Sequence, residues 1–498
     1  MNPERQEVRE EAWRWLDRVA LVAFGVTLCW LAPLRTALQF GTAEGYELMK
    51  ALLVSQGHPL YREVWNDQPP LHTELVALLF RLFGPSAYAG RLLGVGFAMV
   101  LVGTFFGVVR VRSGRAAGWM GVALLMASPA FLELSVSVML EVPAIALGMA
   151  AVWAWDGYRR TERRRWLVAS GLLFGCALQV KLTAAIFGPA LALDWLAWRR
   201  WRWGPQPKTA RPGWRVMAGE AALWSGSVGL AFGAVVLAFY QWDTLSVFWG
   251  SHFSVGTRRA AATGFEFDWP SLLQAPGLVL SASLGVMLLM WQRRAELLFP
   301  LVLLGTVLIV HAVHRPYWYY YALHFAPPLA WLVAAGLVEG GRALRWPRAG
   351  LSRWGWVELA LGVLLWFLVL GTVLTDWPAR LRTEVRRLTR TVPASADPAV
   401  IALRQRAAGT RWIFTEHLIA AFWARLPVPP ELAVIPAKRV WSGQIDGPEF
   451  RHYLAAYQPR LLLGSPGVTR DFGLEAYLAQ HYRLVVDEPP VELYVRRP

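Results

Sequence analysis

Apolar runs long enough to cross a bilayer recur along most of this chain, and short arginine-rich segments separate them. A helix crossing the ~30 Å hydrocarbon layer needs about 20 mostly apolar residues, because its backbone must bond to itself. Such runs lie near 16–35, 88–109, 116–134, 137–157, 166–182, 183–198, 217–241, 271–291, 297–313, 319–340 and 355–376. They predict a mainly α fold, a polytopic membrane bundle of about eleven spans. The first run follows a charged arm, Met1 to Arg14, and lacks a small-residue cleavage site, so it reads as a span and not a cleaved leader.

The charge balance has to be read by position. The 498 residues carry 50 Lys+Arg against 34 Asp+Glu, a net +16, which in a soluble protein would suggest a nucleic-acid partner. The cations instead divide among alternate short loops: Arg110, Arg112 and Arg115; Arg159, Arg160 and Arg163 to Arg165; Arg199, Arg200 and Arg202; Arg293 and Arg294; Arg342, Arg345 and Arg348. That is the pattern of cytoplasmic loops, and it orients the chain with its N-terminus inside and its C-terminus outside. The arginines then serve as orientation determinants that also meet anionic headgroups. Asp156, Asp194 and Glu220 read as interface residues at the same ends. The bilayer is the partner, and nucleic acid is not. With 55% hydrophobic residues, the chain is no disordered segment. Two cysteines in apolar runs, Cys29 and Cys176, build no disulfide framework.

Composition changes after Trp377-Pro378. Residues 1–377 read as the membrane domain and 378–498 as a small extracytoplasmic α/β domain. Its candidate strands are Arg411 to Thr415, Leu461 to Leu463, Leu484 to Val486 and Val491 to Val495. Its candidate helices are Glu416 to Arg425, Gly447 to Ala456 and Gly473 to Tyr482.

The segment 36–87 is too polar to span and too long for a connector. It predicts two amphipathic helices on the membrane surface, one after Thr42 and one after Pro69-Pro70, with Glu44, Asp67 and Glu74 among them. Charges near the membrane plane are costly unless they are paired or functional. The topology puts Glu44, Asp67, Glu141 and Lys181 on one external side, with His252, Arg258 and Arg259 and the aromatic run containing Tyr317, Tyr319, Tyr320 and His324. Carboxylates can deprotonate a hydroxyl, cations can neutralise a leaving phosphate, and aromatic rings can stack on a sugar. No His/Cys spacing marks a metal site, so whether a divalent cation takes part stays open.

At these residues the chain resembles the GT-C membrane glycosyltransferases, in the bacterial branch related to aminoarabinose transferases and protein O-mannosyltransferases. The resemblance rests on Ala43-Glu44-Gly45-Tyr46, then Gly57 and Tyr61, then Asp67-Gln68-Pro69-Pro70-Leu71. It continues through Glu141, Val180-Lys181, and Tyr321 with Pro327-Pro328-Leu329-Ala330. It implies a bacterial cytoplasmic-membrane enzyme that takes a sugar from a polyprenyl-phosphate donor and passes it to a lipid, glycan or protein acceptor on the outer face. Catalysis would fall to Glu44, Asp67 and Glu141. Substrate contacts would come from Tyr46, Tyr61, Arg62, Gln68, Lys181, His252, Arg258, Arg259, Tyr317, Tyr319, Tyr320 and His324. The chain departs from the family at two points. Ala43 replaces the first acid of the usual Asp-Glu pair, so Glu44 is the expected base, with Glu141 or Asp67, or an inactive protein, as the alternatives. Gln68 stands where Lys is frequent. A transporter and a non-catalytic scaffold are the rival readings.

Overall fold

The computed structural model describes residues 3–200, 213–239, parts of 279–287, 295–313, 317–345, 353–464, 472–488 and 491–498. The membrane layer contains α1 (Pro3–Leu31), α4 (Ala87–Ser113), α5 (Arg115–Met126), α7 (Glu141–Thr161) and α8 (Arg164–Val180). It continues with α9 (Phe187–Arg200), α10 (Trp214–Phe239), α11 (Leu298–Val313), α12 (Ala322–Arg345) and α13 (Arg353–Thr389). Of the apolar runs predicted from sequence, 116–134 is broken between Arg115–Met126 and the short helix Phe131–Ser135, too short a first piece to span, and the others, apart from 271–291, overlap a described helix. Most of 271–291 lies outside the described residues, as does all of 242–270. Among the described residues, four helices are long and apolar enough to cross a membrane: Ala87–Ser113, Trp214–Phe239, Tyr319–Arg342 and Ala360–Thr389.

The arginines at the Arg112 end of the bundle have a second use. Arg112 is buried between two acids, donating to Asp156 at 2.6 Å and to Asp194 at 2.8 Å. Arg115 holds Asp17 at 2.7 Å, and Arg199 pairs with Glu220. These side chains tie α1, α4, α7, α9 and α10 together. They are not free to meet headgroups, because a carboxylate inside the bundle would be too costly without a cation beside it.

The segment 36–87 supplies α2 (Glu44–Ser55) and α3 (Leu71–Phe83), and the short α6 (Phe131–Ser135) follows α5. Here the structure corrects the expectation of a surface helix for α2, whereas α3 exposes Leu78, Leu82 and Phe83. Nearly every residue of α2 is buried, Glu44, Glu47 and Lys50 included, because those charges find partners inside the protein. It packs between α3 and α15 (Leu418–Ala424) of the C-terminal region. Gly45 permits that contact: a Cβ there would lie 2.7 Å from the Ile419 backbone nitrogen. Leu48, Leu53 and Val76 consequently share one core with Phe414, Phe450 and Leu462. The loop is thus built into the C-terminal layer as much as into the bundle.

That layer holds the predicted sheet: β1 (Ile413–Thr415), β2 (Leu461–Gly464), β3 (Tyr482–Glu488) and β4 (Val491–Arg496), in the order β1-β2-β4-β3. β1 runs parallel to β2, and the other pairs are antiparallel. Helices α14 (Pro398–Gln405), α16 (Ala437–Trp441), α17 (Gly447–Tyr457) and α18 (Glu475–His481) complete it. The composition boundary at 378 is not a structural one. α13 continues through Pro378 to Thr389, and its end returns to the loop through Leu38 N–H donating to Val392 C=O at 2.7 Å.

Candidate active site

The site lies where α7 begins and α8 ends. Glu141 is the first residue of α7, and Lys181 directly follows α8. A carboxylate at a helix N-terminus and an ammonium at a C-terminus both suit the helix dipoles. The two side chains form a buried ion pair. Lys181 Nζ also sits 4.7 Å from the ring centre of Tyr320 and 5.1 Å from that of Tyr321, a cation–π cage. The second carboxylate oxygen of Glu141 is buried and has no hydrogen-bond partner among the described residues.

The loop brings Asp67 to this pair. Leu140, Ala177 and Val180, neighbours of the two charged residues, form an apolar patch on which Leu71 rests. That seats the Asp67-Gln68-Pro69-Pro70 turn. Tyr61, in a left-handed conformation at φ +67°, donates its hydroxyl to Gln68 C=O at 2.5 Å. The Asn66 amide donates to the same carbonyl at 2.8 Å. Asp67 Oδ2 accepts from Gln68 Nε2 at 3.0 Å and faces Lys438 Nζ, on α16, at 3.5 Å. Its charge acts on Lys181, Tyr320 and Glu47. Glu141, Lys181, Asp67 and Tyr320 are therefore the sequence-predicted residues that the fold gathers, with Tyr61 and Gln68 shaping the turn.

The other predicted residues have other places. Glu44 is fully buried: Arg91 Nε and Nη2 donate to it at 3.0 and 2.8 Å, Phe40 N–H at 2.7 Å and Val138 N–H at 3.3 Å. A carboxylate holding four donors has no lone pair to offer an acceptor hydroxyl, so the assignment of Glu44 as the base is corrected to a structural clasp. Tyr46 faces the C-terminal layer, in a cavity of about 280 Å³ with Glu416 and His417. Arg62 is exposed and has no ion pair among the described residues. Tyr317 and His324 lie one layer behind Lys181, grouped with His311 against Tyr321. Tyr319 lies near Thr42 N–H, 3.4 Å from its hydroxyl. His252, Arg258 and Arg259 lie outside the described residues.

Sequence reasoning missed a polar layer beneath the turn. Lys50 donates to Glu47 at 2.7 Å and to Asn66 at 3.0 Å, and the Thr73 hydroxyl reaches Glu47 at 3.4 Å. His72 is buried with both ring nitrogens unpartnered among the described residues. Burial pushes the Glu47 carboxyl up against the pull of Lys50. Burial, aided by the Lys50 charge, pushes the His72 imidazole down to about 3. The folded protein therefore binds fewer protons at His72 than the unfolded chain, whose histidine titrates near 6.5. The contribution is whole above pH ~6.5 and is lost as pH falls toward 3, at about 1.4 kcal/mol per pH unit. Melting temperatures between pH 7 and 5 are expected to fall less in His72→Phe than in wild type. Equal slopes would show that His72 is not the group responsible.

Among the described residues, no group of three or more His, Cys, Asp and Glu side chains comes together to hold a metal.

Comparison with known proteins finds one family model and solved structures of similar fold. Residues 67–211 match the family model for dolichyl-phosphate-mannose-protein mannosyltransferase. The structure is similar to ArnT from Cupriavidus metallidurans bound to undecaprenyl phosphate, with a TM-score of 0.65 at 15% identity, covering 96% of this chain and 97% of that one. It is also similar to the oligosaccharyltransferase of Archaeoglobus fulgidus in its apo form, with a TM-score of 0.56 at 11% identity, covering 92% and 71%. The archaeal enzyme AglB, in complex with an inhibitory peptide and a dolichol-phosphate, gives a TM-score of 0.52 at 13% identity over 97% and 74%. No curated protein sequence matches the chain.

Proposed function

We propose that this protein is a multi-pass membrane glycosyltransferase that moves a sugar from a polyprenyl-phosphate donor to a nucleophilic acceptor on the extracytoplasmic face. The observation that carries the reading is the Glu141–Lys181 pair, caged by Tyr320 and Tyr321, with Asp67 presented beside it. ArnT and AglB, whose fold this chain shares, are described with undecaprenyl phosphate and a dolichol-phosphate, which supports a lipid-phosphate donor.

Asp67 takes the proton of the acceptor hydroxyl. The acceptor oxygen bonds to the anomeric carbon as that carbon's bond to the phosphate oxygen breaks, and the bonding electrons leave with the polyprenyl phosphate. One in-line displacement inverts the anomeric centre. Lys181 neutralises the leaving phosphate. Glu141 holds Lys181 in place. Tyr320 and Tyr321 offer faces for the sugar ring.

The purified protein is expected to release polyprenyl phosphate from a radiolabelled polyprenyl-phosphate sugar and to transfer the label to an envelope acceptor. Donor that stays intact with every envelope fraction tested, alongside lipid translocation in reconstituted vesicles, would replace this reading with a transporter.

A further inference from the structure

A second groove opens on the far side of α2. Glu47 and Lys50 face the candidate active site, whereas Leu52 and Gln56 line the groove. At 100° per residue these pairs lie on roughly opposite faces of the helix. The groove has a volume of about 790 Å³ and reaches Arg35, just beyond α1, the α3–α4 turn, and Arg404 and Arg425 of the C-terminal layer.

Its chemistry is that of an anion site. Three exposed arginines line it, and no Asp or Glu does. Arg35 stacks over Tyr88 at 4.5 Å, and Arg404 gives one bond to Trp423 C=O at 2.8 Å. None of the three has a carboxylate partner among the described residues, in contrast to Arg91, Arg112, Arg115 and Arg199, each of which holds one. Ser86 lines the same groove and stands at the N-terminus of α4 without a side-chain cap bond. The free N–H groups and positive dipole end of that 27-residue helix add to the field.

Its position is that of a membrane boundary. α4 is a candidate span and begins at Ala87, on the groove. At its mouth, the end of α3 exposes Leu82 at 64% and Phe83 at 75%, an apolar rim suited to acyl chains. The volume falls in the range of ordinary small-ligand pockets, well above the size of a bare phosphate.

We propose that this groove holds the phosphate-bearing headgroup of an anionic membrane lipid, clamped between the first span and the C-terminal layer. The lipid is not the donor, whose reacting carbon belongs beside Asp67 on the other side of α2. The inference needs the chain to sit in a membrane but does not depend on its being a transferase.

The test uses the full chain purified in detergent and delipidated, with native mass spectrometry and thermal melting as readouts. Dioleoylphosphatidylglycerol is expected to bind and raise the melting temperature, and dioleoylphosphatidylcholine at the same concentration is not. Arg35→Gln/Arg425→Gln, which leaves the Arg404 bond to Trp423 intact, is expected to weaken phosphatidylglycerol binding at least tenfold. Its lipid-free melting should match wild type, and Arg35→Lys/Arg425→Lys should retain most of the binding. Equal phosphatidylglycerol affinity in wild type and the Gln variant would overturn the proposal. So would stabilisation by inorganic phosphate alone that matches phosphatidylglycerol, since that would mark a free-phosphate site.

Discussion

Asp67→Asn is expected to lower the rate of sugar transfer by a factor of about 10² to 10⁴, the usual span for loss of a general base, while leaving the fold intact. Asparagine keeps the shape of the side chain and can still accept from Gln68 Nε2, but it cannot take a proton. The contact with Lys438 is long, at 3.5 Å, and both side chains are largely shielded, at 12% and 17% exposure, so it is weaker than a close buried pair and stronger than a surface one. Melting should therefore fall modestly, with the protein still folded. Turnover with a polyprenyl-phosphate sugar, read as kcat against KM, checks the role: a base lost only from the transition state lowers kcat and leaves KM nearly unchanged. Near-normal kcat in Asp67→Asn, together with a collapse in Glu141→Gln, would move the base to Glu141.

The second large effect concerns stability. Glu44 and Arg91 are both fully buried, 2.8 Å apart, and Arg91 also donates to the carbonyls of Leu34 and Ala37 at 2.8 and 3.0 Å. This clasp ties the entry of the 36–87 segment to the first turns of α4, and through Val138 N–H to the segment before α7. Removing one partner strands the other charge inside the protein, which costs about 3–5 kcal/mol. Glu44→Gln and Arg91→Met are each expected to lose that much in a denaturation measurement. The double variant should lose less than the sum of the two, because neither charge is then left alone. Turnover per folded molecule of Glu44→Gln should stay near wild type. A hundredfold loss of turnover with unchanged melting would return Glu44 to the chemistry.

The contrast between these two acids shows how far the sequence could be read. Asp67 and Glu44 look alike along the chain: each is an acid in the same long loop, beside a motif that resembles one family. Their difference lies in what stands opposite. Arg91 lies 47 positions downstream of Glu44, and Lys438 lies 371 positions from Asp67. A signal for the first pairing was present, since an arginine within the opening turns of a span is costly unless something neutralises it. Lys50 and His72 in apolar surroundings carried the same message. For Lys438 there was no such signal, because the approach of α16 to the loop depends on the α2–α15 contact at Gly45.

Local pattern was enough to place the helices of the bundle, the strands of the C-terminal sheet and the break at Pro69-Pro70. Period, run length and turn residues act over a few neighbours, and burial in lipid or in a sheet core enforces them. Tertiary structure decided which charges are partners and which remain available. It closed Glu44 onto Arg91 and Asp156 and Asp194 onto Arg112, while Arg35, Arg404 and Arg425 were brought together without an acid. A buried charge is tolerated only beside its counter-charge, and that counter-charge can sit anywhere along the chain, so the pairing that separates a structural acid from a chemical one exists only once the elements have packed.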